Sequence, residues 1–286
     1  MSILEAVVLG VVQGLTEFLP VSSTAHLRIV PAVCGWADPG AAFSAVLQMG
    51  TLAAIMLAMR RDIAALAAGC LRALRSGRPL GTPESRLTAL IAVGTLPIVA
   101  AGFAFRGLIR SEARRLEVVI TALLAATAVL AAAELVTALR RRHGRGGRDG
   151  LDAIRPADGI TMGLAQALAL IPGTSRSGIT IAAGMLAGLD RRTAARFSFL
   201  LSLPAVAAAA LLEGWQQRHE ILGSGGAFTA LAAGTLAAAV VGYASIRWLL
   251  GMLTGHTLWP FIAYRIALAA ALAAALASGW IAVPAT

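Results

Sequence analysis

Six apolar stretches, residues 41–59, 87–105, 116–139, 193–212, 227–246 and 258–280, are each long enough to cross a bilayer, which takes about 20 apolar residues of helix. A chain that carries them has little left with which to cover a globular surface. Hydrophobic residues make up 58% of the 286 positions and charged residues only 13%, against about 25% charged in an ordinary soluble domain. The same balance excludes disorder. The pattern predicts an all-α polytopic membrane protein with six full transmembrane helices.

Two further apolar regions, about 3–35 and 160–189, are interrupted. The first holds Gln13, Glu17, Pro20, the run Ser22-Ser23-Thr24 and His26. The second holds Gln166, Pro172, Gly173, a hydroxyl cluster around Arg176, and Gly178. Each reads as a re-entrant helix pair that breaks near mid-membrane and returns, which is tolerated only where protein or a polar cavity surrounds the irregular backbone. Pro20-Val21-Ser22-Ser23 matches Pro172-Gly173-Thr174-Ser175, Gln13 matches Gln166, and Phe43-Ser44 matches Phe197-Ser198. The expected organisation is a duplication: repeat one over 1–145, a polar linker over 146–156, and repeat two over 157–286. Each half has one re-entrant pair and three crossings. Three is odd, so the repeats are inverted and their breaks enter from opposite faces, as in many transporter folds.

All 24 basic residues are Arg, against 14 acidic ones, for a net charge of +10. That balance in a soluble chain would suggest nucleic acid, but here the arginines sit in short loops between spans and act as topology signals. Arg60, Arg61, Arg72, Arg75, Arg78, Arg86, Arg140, Arg141, Arg142, Arg145, Arg148, Arg155, Arg191, Arg192, Arg196 and Arg247 fall on one side. Arg106, Arg110, Arg114, Arg115 and Arg218 fall on the other, and Arg28, Arg176 and Arg265 lie inside broken or spanning segments. The positive-inside rule makes the first side cytoplasmic and places both termini outside. Cys34 and Cys70 lack metal or redox spacing and read as buried structural thiols. No cleavable signal peptide is expected, because Glu5 stands where a basic leader would be.

A charged side chain at mid-bilayer costs about 2.5–3.5 kcal/mol on insertion scales, so Glu17, His26 and Arg176 call for a reason. Gln13 and Glu17 lie one helical turn apart on one face and can offer two oxygens to a divalent cation; alternatively Glu17 pairs with an arginine as structural glue. Ser23 and His26 are three apart, a spacing that suits a nucleophile–base pair or a phosphate-binding pair. Ser22 and Thr24 read equally as helix N-caps. In the second break, Gly173 and Gly178 allow backbone N–H groups near a ligand, Thr174, Ser175 and Ser177 add hydroxyls, and the following helix N-terminus favours an anion. Arg176 adds a planar fork suited to phosphate oxygens, or else pairs with Glu17 across a capped kink. Among the remaining polar residues, Glu5 and Glu117 sit at span ends. Glu134 can snorkel toward the arginines at 140, Gln48 reads as cavity lining or a helix-to-helix hydrogen bond, and Gly184 and Gly188 read as a close-packing pair.

The segment Gln13-Gly14-Leu15-Thr16-Glu17-Phe18-Leu19-Pro20-Val21-Ser22-Ser23-Thr24-Ala25-His26 resembles the first signature of the bacterial undecaprenyl-diphosphate phosphatases, also called bacitracin-resistance proteins. Pro172-Gly173-Thr174-Ser175-Arg176-Ser177-Gly178-Ile179-Thr180 resembles their second. The resemblance spans nearly the whole chain. It implies an inner-membrane hydrolase that removes the terminal phosphate of undecaprenyl diphosphate and so recycles the carrier lipid for peptidoglycan. It also implies a Mg2+ or Ca2+ cofactor, a homodimer among membrane lipids, and a site open to the periplasm. Carried over by position, Gln13 and Glu17 are the metal ligands, with Gln13 standing where some members have Glu. Glu17, Ser23, His26 and Arg176 are catalytic. Substrate binding falls to Ser22, Thr24, Gly173, Thr174, Ser175, Arg176, Ser177, Gly178 and Thr180. Ala25 stands where Gly is frequent. The alternative is a polyprenyl-lipid flippase or secondary transporter of the same architecture, which would move lipid without releasing phosphate.

Overall fold

The computed structural model describes residues 1–37, 40–105, 107, 115–216 and 225–278. The described elements are helical: α1 Ile3–Phe18, α2 Ser23–Cys34, α3 Gly40–Ala58, α4 Arg60–Arg75, α5 Pro83–Ala104 and α6 Leu116–Arg142 in the first half. The second half has α7 Pro156–Ala167, α8 Arg176–Leu186, α9 Arg191–Gln216, α10 Gly225–Met252 and α11 Trp259–Ala277. Helices α5, α6, α9, α10 and α11 are long and apolar enough to cross a membrane, and α3 joins them as part of a bent pair with α4. The chain is a multi-pass membrane protein. The exceptional arginines at 106, 110, 114 and 218, and the end of the last expected span through Trp280, lie outside the described residues.

The arginine-rich stretch after the first span, expected as a loop, is the helix α4, turned 73° from α3. Its sequence is amphipathic: Ala73 is buried and Ile63 and Leu66 pack against the core, while Arg61, Arg72 and Arg75 stay outside. Cys34, expected buried, is exposed at the end of α2.

The breaks fall where the sequence puts them. Helix α1 ends at Phe18 with Leu19 already extended, and α2 starts at Ser23. Helix α7 runs into a short 3-10 turn over Leu168–Leu170, and α8 starts at Arg176. Ser22 (φ 75°) and Ser175 (φ 68°) are the positive-φ non-glycine residues among those described. A left-handed backbone costs an L-residue roughly 1–2 kcal/mol, and such strain clusters at functional sites. Ser22 with Ser175, Gln13 with Gln166, Ser23 with Arg176, and the helix starts Ile3 and Pro156 are all separated by one constant interval. The sequence match of Pro20 to Pro172 and Ser23 to Ser175 is therefore out by one residue. Equivalence follows the backbone break, and Pro20 corresponds to Gly173.

The packing of the two halves is reciprocal. Helix α1 lies along α10 and α7 lies along α5. Helix α3 packs on α10 as α9 packs on α5, while α3 meets α9 and α6 meets α11. Helices α1 and α7 are both seated through glycine. A Cβ on Gly10 would come 2.1 Å from the Gly234 carbonyl oxygen, and one on Gly163 would come 2.5 Å from the Gly94 Cα. Close backbone approach through small residues is how helices associate where lipid removes the hydrophobic drive. Gly184 is used in the same way, with Ala194 and Met162 each 2.9 Å from an added Cβ.

At the arginine-rich end, the side chains knit loops and helix ends together. Arg148 in the linker bonds both Asp158 carboxylate oxygens at 2.6 and 2.8 Å and the carbonyls of Ala153 and Ala187. Arg140 donates to the carbonyls of Met185 and Leu186, and Arg196 pairs with Asp62 at 2.7 Å. Glu134, expected to snorkel outward, is instead buried. It pairs with Arg191 and accepts the Leu258 N–H at 2.7 Å, because the start of α11 closes over it.

Gly10→Val is expected to lower the thermal midpoint of the purified protein by the cost of overpacking, about 1–3 kcal/mol. Gly251→Ala, where an added Cβ meets nothing within 4 Å, should leave the midpoint unchanged.

Candidate active site

Three polar side chains meet on the Glu17 carboxylate, Gln13 and Ser23 from either side of the first break and Arg176 from the second. Gln13 and Glu17 face the same way on α1, and Gln13 Nε2 donates to Glu17 Oε2 at 3.1 Å. Ser23 opens α2, and its hydroxyl donates to the same oxygen at 2.6 Å. The other oxygen, Glu17 Oε1, is ion-paired with Arg176 from the second break. The pair is largely buried, with side-chain exposures of 8% for Glu17 and 19% for Arg176. The arginine pairing expected as one alternative for Glu17 is thus present on one oxygen, and a contact with the Ser23 hydroxyl that the sequence did not suggest is present on the other.

The two tips bond to each other directly. The Ser177 hydroxyl donates to the Leu19 carbonyl at 3.0 Å, and the Gly173 N–H donates to the Thr24 hydroxyl at 3.4 Å. Thr24 in turn lies 3.2 Å from the Ser22 hydroxyl. Ser175 caps α8 by accepting the Gly178 N–H at 3.2 Å. Ser22 makes no such cap on α2, so first-turn N–H groups of α2 are left for another acceptor. Two helix N-termini therefore start at one junction with Arg176 between them, an arrangement of donors that suits a multiply charged anion.

Four expected site residues have surroundings other than those expected. Ser23 and His26 are not paired. His26 Nδ1 lies 2.7 Å from the Ser22 carbonyl and Nε2 lies 2.6 Å from the Tyr264 hydroxyl, with the two rings stacked 5.7 Å apart at 11°. A carbonyl only accepts, so Nδ1 carries the proton and Nε2 accepts from Tyr264. Ser23 turns to Glu17 because an ionised carboxylate is the stronger acceptor. Thr180, expected to bind substrate, is fully buried and bonds the Arg176 carbonyl and the Ser198 hydroxyl of α9, at 2.7 and 2.5 Å. Gly173, expected to admit a ligand, has φ +97° and sits where a Cβ would lie 2.3 Å from the Val119 carbonyl oxygen. Its missing side chain makes room for α6.

Two residues of α11 with no site role expected from sequence belong to the junction. Tyr264 holds His26, and Arg265 is completely buried against both breaks and α6. The signal available was Arg265 itself, a charge in the middle of an otherwise apolar span. Among the described residues no group of three or more His, Cys, Asp or Glu could hold a metal. Gln13 Oε1, beside Glu17, is buried without a hydrogen-bond partner.

The model of the bacitracin resistance protein BacA family matches residues 6–271 of the chain. The chain belongs to that family. It is similar to the undecaprenyl-diphosphatase of Chlorobaculum tepidum, at 50% identity over 279 residues covering 98% of this chain and 99% of the relative. The undecaprenyl-diphosphatase of Chlorobium phaeobacteroides strain BS1 is 48% identical over 282 residues, with the same two coverages. That of Chlorobium limicola is 46% identical over 286 residues, covering 100% of both chains. In this chain the two signature segments contain the two breaks, each running into the start of a helix, α2 or α8.

Removing one partner of a buried ion pair costs about 3–5 kcal/mol, because the other charge stays buried and uncompensated. Arg176→Ala is therefore expected to lower the thermal midpoint sharply, whereas the double variant Glu17→Gln/Arg176→Gln should recover part of the loss. Equal midpoints for the single and double variants would show that the pair is not buried as described.

Proposed function

We propose that this chain is a membrane phosphatase that hydrolyses undecaprenyl diphosphate to undecaprenyl phosphate and inorganic phosphate, the activity its curated relatives are named for. The observation that carries the reading is Glu17, held between the Ser23 hydroxyl on one break and Arg176 on the other. A diphosphate needs its charge neutralised and its terminal phosphorus set in line with an attacking oxygen, and catalysis of phosphoryl transfer is mostly that.

In this reading Arg176 and the first-turn N–H groups of α2 and α8 take the diphosphate oxygens. As they do so, Arg176 shifts its fork from Glu17 toward the phosphate. The freed carboxylate accepts the Ser23 proton while Ser23 Oγ bonds to the terminal phosphorus. The bond from that phosphorus to the bridging oxygen breaks, and the lipid monophosphate leaves. Water then attacks the phosphoserine, the phosphorus–Oγ bond breaks as Glu17 returns its proton to Ser23 Oγ, and the phosphate leaves carrying both protons of the water. His26, with Nε2 on the half-exposed Tyr264 hydroxyl, is placed to pass protons between the junction and the outside. Gln13 Oε1 and the Glu17 carboxylate are oxygen donors of the kind Mg2+ or Ca2+ takes together with substrate phosphates and water, and the unpartnered buried Gln13 oxygen supports that fit. When bound, such a cation would neutralise diphosphate charge.

The same reading places the protein in the bacterial inner membrane as a homodimer of inverted repeats. The reciprocal packing of the halves supports the repeat. The arginine-knit end is the cytoplasmic one, and both termini and the site face the periplasm.

Purified protein in detergent is expected to release phosphate from undecaprenyl diphosphate in the presence of Mg2+ or Ca2+ and to stop on addition of chelator. Ser23→Ala and Glu17→Ala should each lose at least about 100-fold in kcat, the scale of a lost general base. Folded variants that turn over normally would refute the assignment. Tyr264→Phe should move the pH profile of kcat with little effect on KM, and an unchanged profile would remove His26 from the proton path.

A further inference from the structure

Among the described residues, two arginines are buried, Arg191 and Arg265. Arg191 is paired with a carboxylate, Glu134, as the partly buried Arg148 and Arg176 are with Asp158 and Glu17, but the hydrogen bonds of Arg265 reach no carboxylate. It is 0% exposed in the middle of α11, and its hydrogen bonds run to one hydroxyl and four carbonyls. Nε donates to Thr127 Oγ1 at 2.6 Å. The terminal nitrogens donate to the carbonyls of Pro20 at 3.1 Å, Leu123 at 3.0 Å, Gly173 at 3.4 Å and Thr174 at 3.1 Å. Pro20 belongs to the first break, Gly173 and Thr174 to the second, and Leu123 and Thr127 to α6.

Two consequences follow from elementary chemistry. A guanidinium keeps its proton in any protein environment, so a full positive charge is fixed beneath both breaks with only carbonyl dipoles to offset it. Carbonyls solvate a buried cation but do not neutralise it. Second, the C=O and the following N–H of a trans peptide point in opposite directions. Holding the Thr174 carbonyl therefore turns the Ser175 N–H to the far side of the loop, next to the start of α8.

We propose that Arg265 is a positioning residue for the reaction: without touching the diphosphate, it locks the two breaks in register through their carbonyl oxygens and leaves one fixed positive charge beneath them for the diphosphate to complement. The proposal rests on the phosphatase reading above. It assigns two separable effects to one side chain. The planar fork reaches three elements at once and sets geometry, which governs kcat. The charge acts through the protein on a polyanion, which governs KM.

The test is steady-state kinetics of detergent-purified wild type, Arg265→Lys and Arg265→Gln on a polyprenyl diphosphate with divalent cation, alongside their thermal midpoints. Arg265→Lys keeps the charge and loses the fork, so kcat should fall about 100-fold, as for a misplacement of roughly 1 Å, with KM little changed. Arg265→Gln loses both, so the fall in kcat should come with a KM raised about tenfold, the scale of one unit charge acting through protein. A purely structural arginine would lower the midpoint and the folded yield of both variants while leaving kcat and KM of the folded fraction alike. If neither variant folds, Thr127→Val keeps the Arg265 charge while removing the Nε acceptor and the hydroxyl's own bond to the Leu123 carbonyl, and its kcat should fall about tenfold at unchanged KM. Wild-type kcat in Arg265→Lys, or in Thr127→Val where that is the readout, overturns the proposal, and so does wild-type KM in Arg265→Gln. A wild-type protein that releases no phosphate refutes the phosphatase reading instead.

Discussion

Backbone that leaves helical geometry inside a membrane has no water to bond, so its polar groups must find protein partners. The breaks at Leu19–Ser22 and Ile171–Ser175 meet that demand largely by bonding each other. The Leu19 carbonyl takes the Ser177 hydroxyl, the Gly173 N–H takes Thr24, and one guanidinium, Arg265, collects carbonyls from both. Neither tip would be satisfied alone. The junction of the two broken helix pairs is therefore a condition of the fold as well as the place where the reactive groups converge, with Glu17 and Arg176 as its charged seam.

What sets the tips at a common depth is the seating of their helices. Gly10 against Gly234 and Gly163 against Gly94 bring α1 onto α10 and α7 onto α5 at backbone contact, so each of these two helices leans on a long apolar helix of the other half. Small shifts along these tracks would move a whole tip, and the glycines leave no room for a side chain to absorb them. At the arginine-rich end, ion pairs of Arg148, Arg191 and Arg196 tie the linker to α7 and tie α9 to α6 and α4, and the Leu258 N–H before α11 bonds Glu134. The rigid scaffold and the strained serines at its centre belong together, since strain of that kind persists only where the surroundings over-determine it.

Much of this was legible in the residues, because the membrane makes apolar length and intramembrane charge unusually informative. The spans, both breaks, Gln13, Glu17, Ser23 and Arg176 could be picked out before any coordinates. What was not legible depends on which partner wins. Ser23 is close in sequence to His26, but the carboxylate of Glu17 is the stronger acceptor, and His26 goes to Tyr264, whose partnership spans most of the chain. Thr180 sits in a signature segment, yet its helix face turns to Ser198. Glu134 lies near the arginines at 140, but the start of α11 encloses it with Arg191. Helix α4 looked like a loop because arginines dominated it, and its narrow apolar face became visible only against α5. The equivalence of the halves was obscured by prolines one position out of step, since the shared feature is a dihedral angle at Ser22 and Ser175.

The central claim is that one diphosphate bridges the two breaks with its terminal phosphorus before Ser23. The direct measurement is an experimental structure of the protein with a methylene-bridged polyprenyl diphosphonate, which cannot be cleaved. Its terminal phosphonate is expected to lie within attacking distance of Ser23 Oγ, its oxygens on Arg176 and the first-turn N–H groups of α2 and α8, and Glu17 freed from Arg176. A diphosphonate held away from the junction, with Glu17 and Arg176 still paired, would contradict it.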